Sequence, residues 1–165
     1  MFLKSFSFFA IFLVALNAYA SVEIGVGQNS TFSGRFVPTL TAAYTTDQVA
    51  FSFYSSGVQN SYYYQWTYGA HFFRQKKTGD LLGGEVRCGL GLDLMYGASG
   101  FQDEGQSGER EKSDIAIGPA FRVNWTIFPH TFINFDATYG LRNFGNHLLL
   151  NFQDVIVFSV GVRLW

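Results

Sequence analysis

The stretch EVRCGLGLDLMYG, residues Glu85 to Gly97, decides the fold. Apolar side chains recur at every second position from Val86 to Tyr96, and the positions between them hold charged residues, glycines and one methionine. A period of two is that of a β-strand, whose successive side chains point to opposite faces, whereas a helix repeats about every 3.6 residues. The stretch therefore predicts a long strand with one apolar face and one polar face.

The same alternation recurs along the chain after Ser21 and predicts an all-β protein. We assign eight strands, at residues 21–29, 36–45, 48–56, 61–74, 82–98, 113–128, 130–142 and 153–165. Several of them reach the about 9–11 residues that a tilted strand needs to cross a bilayer. Because closure of the sheet satisfies the backbone in lipid, the predicted fold is an eight-stranded antiparallel up-and-down transmembrane β-barrel.

The connections between the predicted strands alternate in length. Short links at Thr46-Asp47, Gln75–Leu81 and Phe128–His130 alternate with longer ones near 30–35, 57–60, 99–112 and 143–152. Short turns at one rim and longer loops at the other are typical of outer-membrane barrels. In that arrangement the short turns and both chain ends face the periplasm.

The first twenty residues have the layout of a secretory signal peptide. Lys4 precedes an apolar run from Phe6 to Leu16, and Ala18-Tyr19-Ala20 places small residues where a signal peptidase reads them. We therefore predict a signal peptide at 1–20, with an uncleaved anchor or a buried helix as the alternative. The remaining residues, 21–165, suffice for one barrel domain.

Composition indicates which way the apolar face points. The lysines after the signal peptide, Lys76, Lys77 and Lys112, lie in turns or at a loop edge, whereas a soluble barrel would spread them along its surface. Glycines fall on the polar face, as a narrow and filled lumen requires, and Tyr and Trp on the apolar face suit the membrane interface. Cys88 is the only cysteine, which excludes an intrachain disulfide, and no basic stripe for nucleic acid is present.

The chain resembles the small eight-stranded outer-membrane proteins of the OmpX type and the membrane domain of OmpA. The resemblance rests on Ala18-Tyr19-Ala20, the eight amphipathic strands and the closing segment FSVGVRLW, Phe158–Trp165. It implies export to a bacterial outer membrane, contact with outer-membrane lipid and lipopolysaccharide, and Trp165 as the signal that the barrel-assembly machinery reads. Barrels of this kind serve as anchors, adhesins and enzymes, so the fold leaves the activity open.

Charged residues of the polar face are predicted to meet inside the barrel as a lumen polar network. They are Glu23, Glu85, Arg87, Asp93, Asp114, Arg122, Asp136, Arg142 and Arg163. Buried charges need partners, so this near-balance of acids and arginines predicts a salt-bridged plug. The alternative is a gated path for ions or protons.

Two external loops are candidates for contact with a surface partner. Loop 99–112 is acidic and glycine-rich, and loop 143–152 contains an apolar cluster. The candidate residues are Asp103, Glu104, Glu109 and Glu111 in the first loop and Phe144, His147, Leu148, Leu149 and Leu150 in the second. The acids lack the spacing of a calcium loop, so we predict no metal site and no other cofactor.

The predicted function is that of a non-enzymatic outer-membrane barrel whose external loops serve envelope integrity, adhesion or surface recognition. The alternative is a lipid A-modifying, deacylase-like enzyme with its active site on the rim, for which His147 is the best candidate. No serine accompanies His147 in its loop, so no catalytic residue is predicted. A soluble periplasmic ligand-binding barrel is the further alternative.

Overall fold

The computed structural model describes residues 20–31, 35–59, 63–101, 112–139, 142–143 and 154–164. The strands are β1 Ser21–Thr31, β2 Arg35–Thr45, β3 Val49–Gln59, β4 Tyr63–Leu81, β5 Gly84–Phe101, β6 Lys112–Phe128, β7 Thr131–Tyr139, β8 Arg142–Asn143 and β9 Asp154–Arg163. Among the residues described, no helix is long and apolar enough to cross a membrane. The predicted signal peptide lies outside these residues, apart from Ala20.

The strands form a closed antiparallel barrel. Each strand from β1 to β6 pairs with the next one along the chain, and β9 pairs with both β7 and β1, which closes the ring. The two-residue β8 pairs with Ala116 and Ile117 of β6, whose other edge is already paired with β5. β8 therefore pairs with the same edge of β6 as β7 does. The two segments share one place in the ring, so the barrel is eight-stranded. The predicted fold class is confirmed.

The β4–β5 hairpin extends further than the sequence pattern predicted. The segment Gln75–Leu81 was predicted as a turn, but β4 continues through it to Leu81, with a register shift between Lys77 and Gly79. Its residues are mostly polar, so apolar alternation gave no sign of a strand there. The turn itself is only Leu82-Gly83, with φ values of 50° and 79°. Two consecutive left-handed residues are the signature of a type I′ hairpin turn.

Leu82 is the strained position of this turn, and replacing it tests the turn type. A leucine in the left-handed region is unfavourable, whereas asparagine tolerates that conformation. The Leu82 side chain is 84% exposed and loses no packing when it is replaced. We expect Leu82→Asn to raise the free energy of unfolding by about 1 kcal/mol. Urea unfolding in lipid vesicles measures this, with Leu81→Asn in the strand as the control that should show no gain.

The two faces of the barrel are inverted relative to those of a soluble protein. Large apolar side chains point outward around the whole ring, for example Leu40, Leu90 and Tyr139, which are 65%, 71% and 75% exposed. Charged side chains such as Glu23 and Asp93 point inward and are fully buried. An apolar outer belt is stable only against lipid, so these residues fit a membrane barrel and not a soluble ligand-binding one.

Apolar side chains close the lumen toward the loop ends of the strands. Tyr54, Met95, Ala116, Val155 and Val157 form one buried cluster there. A smaller buried cluster of Ala50, Phe73 and Ala120 lies nearer the short turns. Buried charges border both clusters, since Tyr54 of the first donates a hydrogen bond to Asp93 and Phe73 of the second lies against the Arg122 guanidinium group.

Candidate functional site in the barrel lumen

The first group of lumen residues surrounds Glu23, near the rim of the short turns. The Nη2 atom of Arg163 lies 2.6 Å from Glu23 Oε1 and donates a hydrogen bond to it. The side-chain amides of Asn124 and Asn134 also donate to the Glu23 carboxylate, at 3.4 Å. β1, β6, β7 and β9 are thereby tied together across the lumen by one buried carboxylate.

The second group lies at the centre of the lumen and is built on Arg122. Its Nε atom donates to Asp136 Oδ1 at 2.9 Å, and its guanidinium group lies 5.1 Å from the centre of the Phe73 ring. Both partners of this ion pair are almost completely buried. His71 lies beside the pair, with Nδ1 3.6 Å from Asp136 Oδ2. In the low dielectric of a filled barrel such a pair is strong but intolerant of the loss of either member.

Asp93 is the second carboxylate of this central group. Its Oδ2 atom accepts hydrogen bonds from the Tyr54 hydroxyl at 3.1 Å and from Thr138 Oγ1 at 3.0 Å. His71 Nε2 lies 3.4 Å from the same oxygen, close enough for an ion pair but without hydrogen-bond geometry. The group therefore holds two carboxylates, one arginine and one histidine, all out of contact with water.

The third group of charges lies at the rim and is partly exposed. Arg87 pairs with Glu85 on its own strand and reaches Asp47 Oδ1 at 2.7 Å in the β2–β3 turn. Lys77 Nζ lies 2.8 Å from Asp80 Oδ1, and the hydrogen bond to Asp80 raises the pKa of Lys77. Glu85 was predicted to be a lumen residue, but the structure places it at this rim, bonded to a neighbour two residues away. Exposed pairs of this kind contribute little to stability.

Several predicted site residues cannot be assigned side-chain contacts. Asp114 and Arg142 lie in strands, where they pair with Gly97 and Ile117 through the backbone, but their side chains lie outside the described part. The loop candidates Asp103, Glu104, Glu109, Glu111, Phe144, His147, Leu148, Leu149 and Leu150 lie outside the described residues, as does Trp165.

Some lumen residues were missed in the predicted network, although the period-two pattern had placed them on the inward face. The Tyr54 hydroxyl and the side-chain amides of Asn124 and Asn134 donate hydrogen bonds to the predicted carboxylates, and His71 Nε2 lies 3.4 Å from Asp93 Oδ2. The alternation along a strand shows which side chains point inward, so the sequence could have identified these residues as part of the lumen. The contacts between inward residues of different strands depend on how far the strands are staggered around the barrel. The alternation within a single strand does not specify that stagger.

Ser52, His71 and Asp93 stand in the order of a nucleophile, a base and an orienting acid. Ser52 Oγ lies 3.3 Å from His71 Nδ1, and Asp93 lies against the other ring nitrogen. A hydrolytic triad also needs room for a substrate beside the serine. Here the three side chains are at most 2% exposed, and His71 stacks on Tyr54 at 4.9 Å between ring centres.

Within the described residues, no group of three or more His, Cys, Asp or Glu side chains is placed to hold a metal ion.

The closed ring, the apolar belt and the filled polar lumen define the class: a small eight-stranded barrel of the outer-membrane type. The structure is similar to that of Ail, the attachment invasion locus protein of Yersinia pestis, with a TM-score of 0.56 and 13% identity over 87% of this chain and 97% of that one. It is also similar to the N-terminal β-barrel domain of Pseudomonas aeruginosa OprF, with a TM-score of 0.58 and 16% identity over 87% and 96% of the two chains. Neisserial surface protein A is similar with a TM-score of 0.52 and 17% identity over 88% and 94%.

These similarities confirm the resemblance to small outer-membrane barrels at the level of the fold. No family model matches the chain, and no curated protein matches it in sequence. At identities of 13–17% the activities of the similar proteins do not transfer to this chain.

Proposed function

We propose that this protein resides in a bacterial outer membrane as a non-enzymatic barrel whose external loops recognise a surface outside the cell. The observation that carries the proposal is the filled lumen. Paired charges around Arg122 and Asp93 occupy its centre, and the apolar cluster around Met95 covers them on the loop side. An eight-stranded barrel packed in this way has an interior only just wide enough for its own side chains. Work at the cell surface then falls to the loops.

The lumen also argues against an ion path through the barrel and against hydrolysis inside it. A gated ion path needs a continuous wet route, and buried Val155, Val157 and Met95 interrupt it. A hydrolytic role for Ser52 and His71 needs access from water or lipid, and both side chains are buried. We therefore interpret the central group as a structural network that joins the strands through their side chains.

We expect the folded protein to carry no ion current. After insertion into a planar lipid bilayer, the purified barrel should leave the baseline conductance unchanged, because apolar side chains and ion pairs fill its interior. A general porin inserted under the same conditions supplies the positive control. Discrete current steps that depend on the folded barrel would contradict the filled-lumen interpretation.

The two longest loops are the parts that we assign to recognition. Loop 99–112 carries four acids and loop 143–152 carries an apolar cluster, so their sequences offer two different chemistries for contact. The name of one structurally similar protein, the attachment invasion locus protein, describes attachment and fits this assignment. Apolar residues are common in contact sites between proteins.

Loop replacement tests the assignment. Residues 102–111, and separately 144–152, are replaced by Gly-Ser linkers of equal length, and adherence of bacteria carrying each variant to cultured animal cells is counted. We expect adherence to fall several-fold for at least one replacement, whereas replacement of the short loop 32–34 should leave it unchanged. A mobility shift between unboiled and boiled samples verifies that each variant forms the barrel. Unchanged adherence in both long-loop variants would contradict the proposal.

A further inference from the structure

We propose that an anionic phospholipid binds in a groove on the outer face of the barrel, at the rim of the short turns. The groove has a volume of about 700 Å³ and lies across β4, β5 and β6. Its wall is formed mainly by Arg74, Lys76, Cys88, Leu90 and Phe121. The proposal rests on the outer-membrane orientation proposed above, in which this rim faces the periplasm and its phospholipid leaflet.

Two cations of β4 break the apolar outer face near the rim of the short turns. Tyr68 and Phe72 point outward and are 49% and 52% exposed, and Arg74 and Lys76 occupy the next two outward positions. A cation on the lipid face is costly at the bilayer midplane and costs little near the interface. Arg74 therefore marks the level at which the hydrocarbon ends, which is where a phospholipid carries its phosphate.

These two cations lack an anionic partner in the described part of the protein. The nearby acids are engaged elsewhere, since Asp47 pairs with Arg87 and Asp80 pairs with Lys77. No ion pair joins Arg74 or Lys76 to any described acid. A guanidinium and an ammonium group at successive outward positions of one strand, lining one groove, match a phosphate diester, which accepts hydrogen bonds from both.

The apolar wall of the groove lies beside the cations on the neighbouring strands β5 and β6. Arg74 is paired across the sheet with Leu90, which is paired with Phe121, and Lys76 is paired with Cys88. Leu90 is 71% exposed, so its side chain is available to an acyl chain. A ligand with one anionic head and one hydrocarbon tail matches this order of cations and apolar side chains. Inorganic phosphate would satisfy the cations but leave the apolar wall uncovered.

Native mass spectrometry of the detergent-solubilised protein with added dioleoyl phosphatidylglycerol or dioleoyl phosphatidylcholine tests the proposal. We expect retention of phosphatidylglycerol on the unaltered protein and an about fivefold loss of affinity for each cation removed, in Arg74→Gln, Lys76→Gln and the double variant. Lys77→Gln is the matched control, because it makes the same charge change one residue along the strand at a side chain already paired with Asp80. This control should retain the lipid as the unaltered protein does.

Equal retention of the two lipids, or equal loss in Lys76→Gln and Lys77→Gln, would overturn the proposal. Each variant is first checked for the boiling-dependent mobility shift, so that a failure to form the barrel is not read as a loss of binding. If the variants fold and adherence still depends on the long loops, an absent lipid preference refutes this inference alone. If adherence is independent of the loops but lipid selectivity follows Lys76, the surface-recognition proposal alone is refuted.

Discussion

Replacing Arg122 by methionine is expected to lower the free energy of unfolding by about 3–5 kcal/mol, because it removes one partner of a buried ion pair. Arg122 Nε lies 2.9 Å from Asp136, and neither side chain is more than 6% exposed. Without the guanidinium group, the charged partner that Asp136 keeps among the described residues is the His71 ring, with Nδ1 at 3.6 Å. Methionine occupies a similar volume, so the loss reports on charge and hydrogen bonding more than on a cavity. Urea unfolding in vesicles of zwitterionic lipid measures it.

A second substitution separates the ion pair from simple packing damage. In the double variant Arg122→Met/Asp136→Asn the unpaired carboxylate is gone, and we expect most of the lost stability to return. Lys77→Met is the control, since Lys77 lies in the exposed part of the β4–β5 hairpin and its surface pair with Asp80 contributes little to stability. It should leave the free energy of unfolding essentially unchanged. Additive losses in the double variant would show that the pair is not the source of the effect.

The sequence was sufficient to predict the strands and their faces for a physical reason. One face of a membrane barrel meets lipid and the other meets a polar lumen, so the period of two persists through almost every strand. The alternation in Glu85–Gly97 is reproduced as inward Asp93 and Met95 and outward Leu92 and Leu94. The extension of the hairpin beyond Gln75 was not predicted, because this part of the chain lies outside the region with lipid on one face and the lumen on the other. Its sequence therefore does not alternate.

Contacts inside the lumen were predictable only as a set and not as pairs. Alternation placed Glu23, Asp93 and Arg122 on the inward face, but it did not show that Glu23 would meet Arg163, since 140 positions separate them along the chain. That meeting depends on how far each strand is staggered against the next around a closed barrel. The same alternation also predicts Glu85 as a lumen residue, although it pairs with Arg87 at the rim.

Gly69 makes room for a large ring in one row of inward-facing residues. Its replacement is expected to produce the second large loss of stability. The row passes from Thr41 through Tyr54 and Gly69 to Met95, so a large ring lies beside a residue with no side chain. A Cβ atom at Gly69 would lie 2.0 Å from Tyr54 Cζ. The ring cannot move aside freely, because its hydroxyl donates to Asp93 at 3.1 Å.

We therefore expect Gly69→Ala to lower the free energy of unfolding by about 3 kcal/mol, from overpacking together with the loss of the hydrogen bond to a buried carboxylate. In an open strand position the same change is neutral or mildly stabilising, because alanine has less backbone freedom to lose than glycine. Gly79→Ala supplies that control, since nothing lies within 4 Å of its added Cβ. Removing the ring with Tyr54→Leu should make Gly69→Ala much less harmful, by more than about 1 kcal/mol in a double-mutant cycle. If the two substitutions are additive, Gly69 does not make room for the ring, and the interior of the barrel is packed less tightly than its geometry indicates.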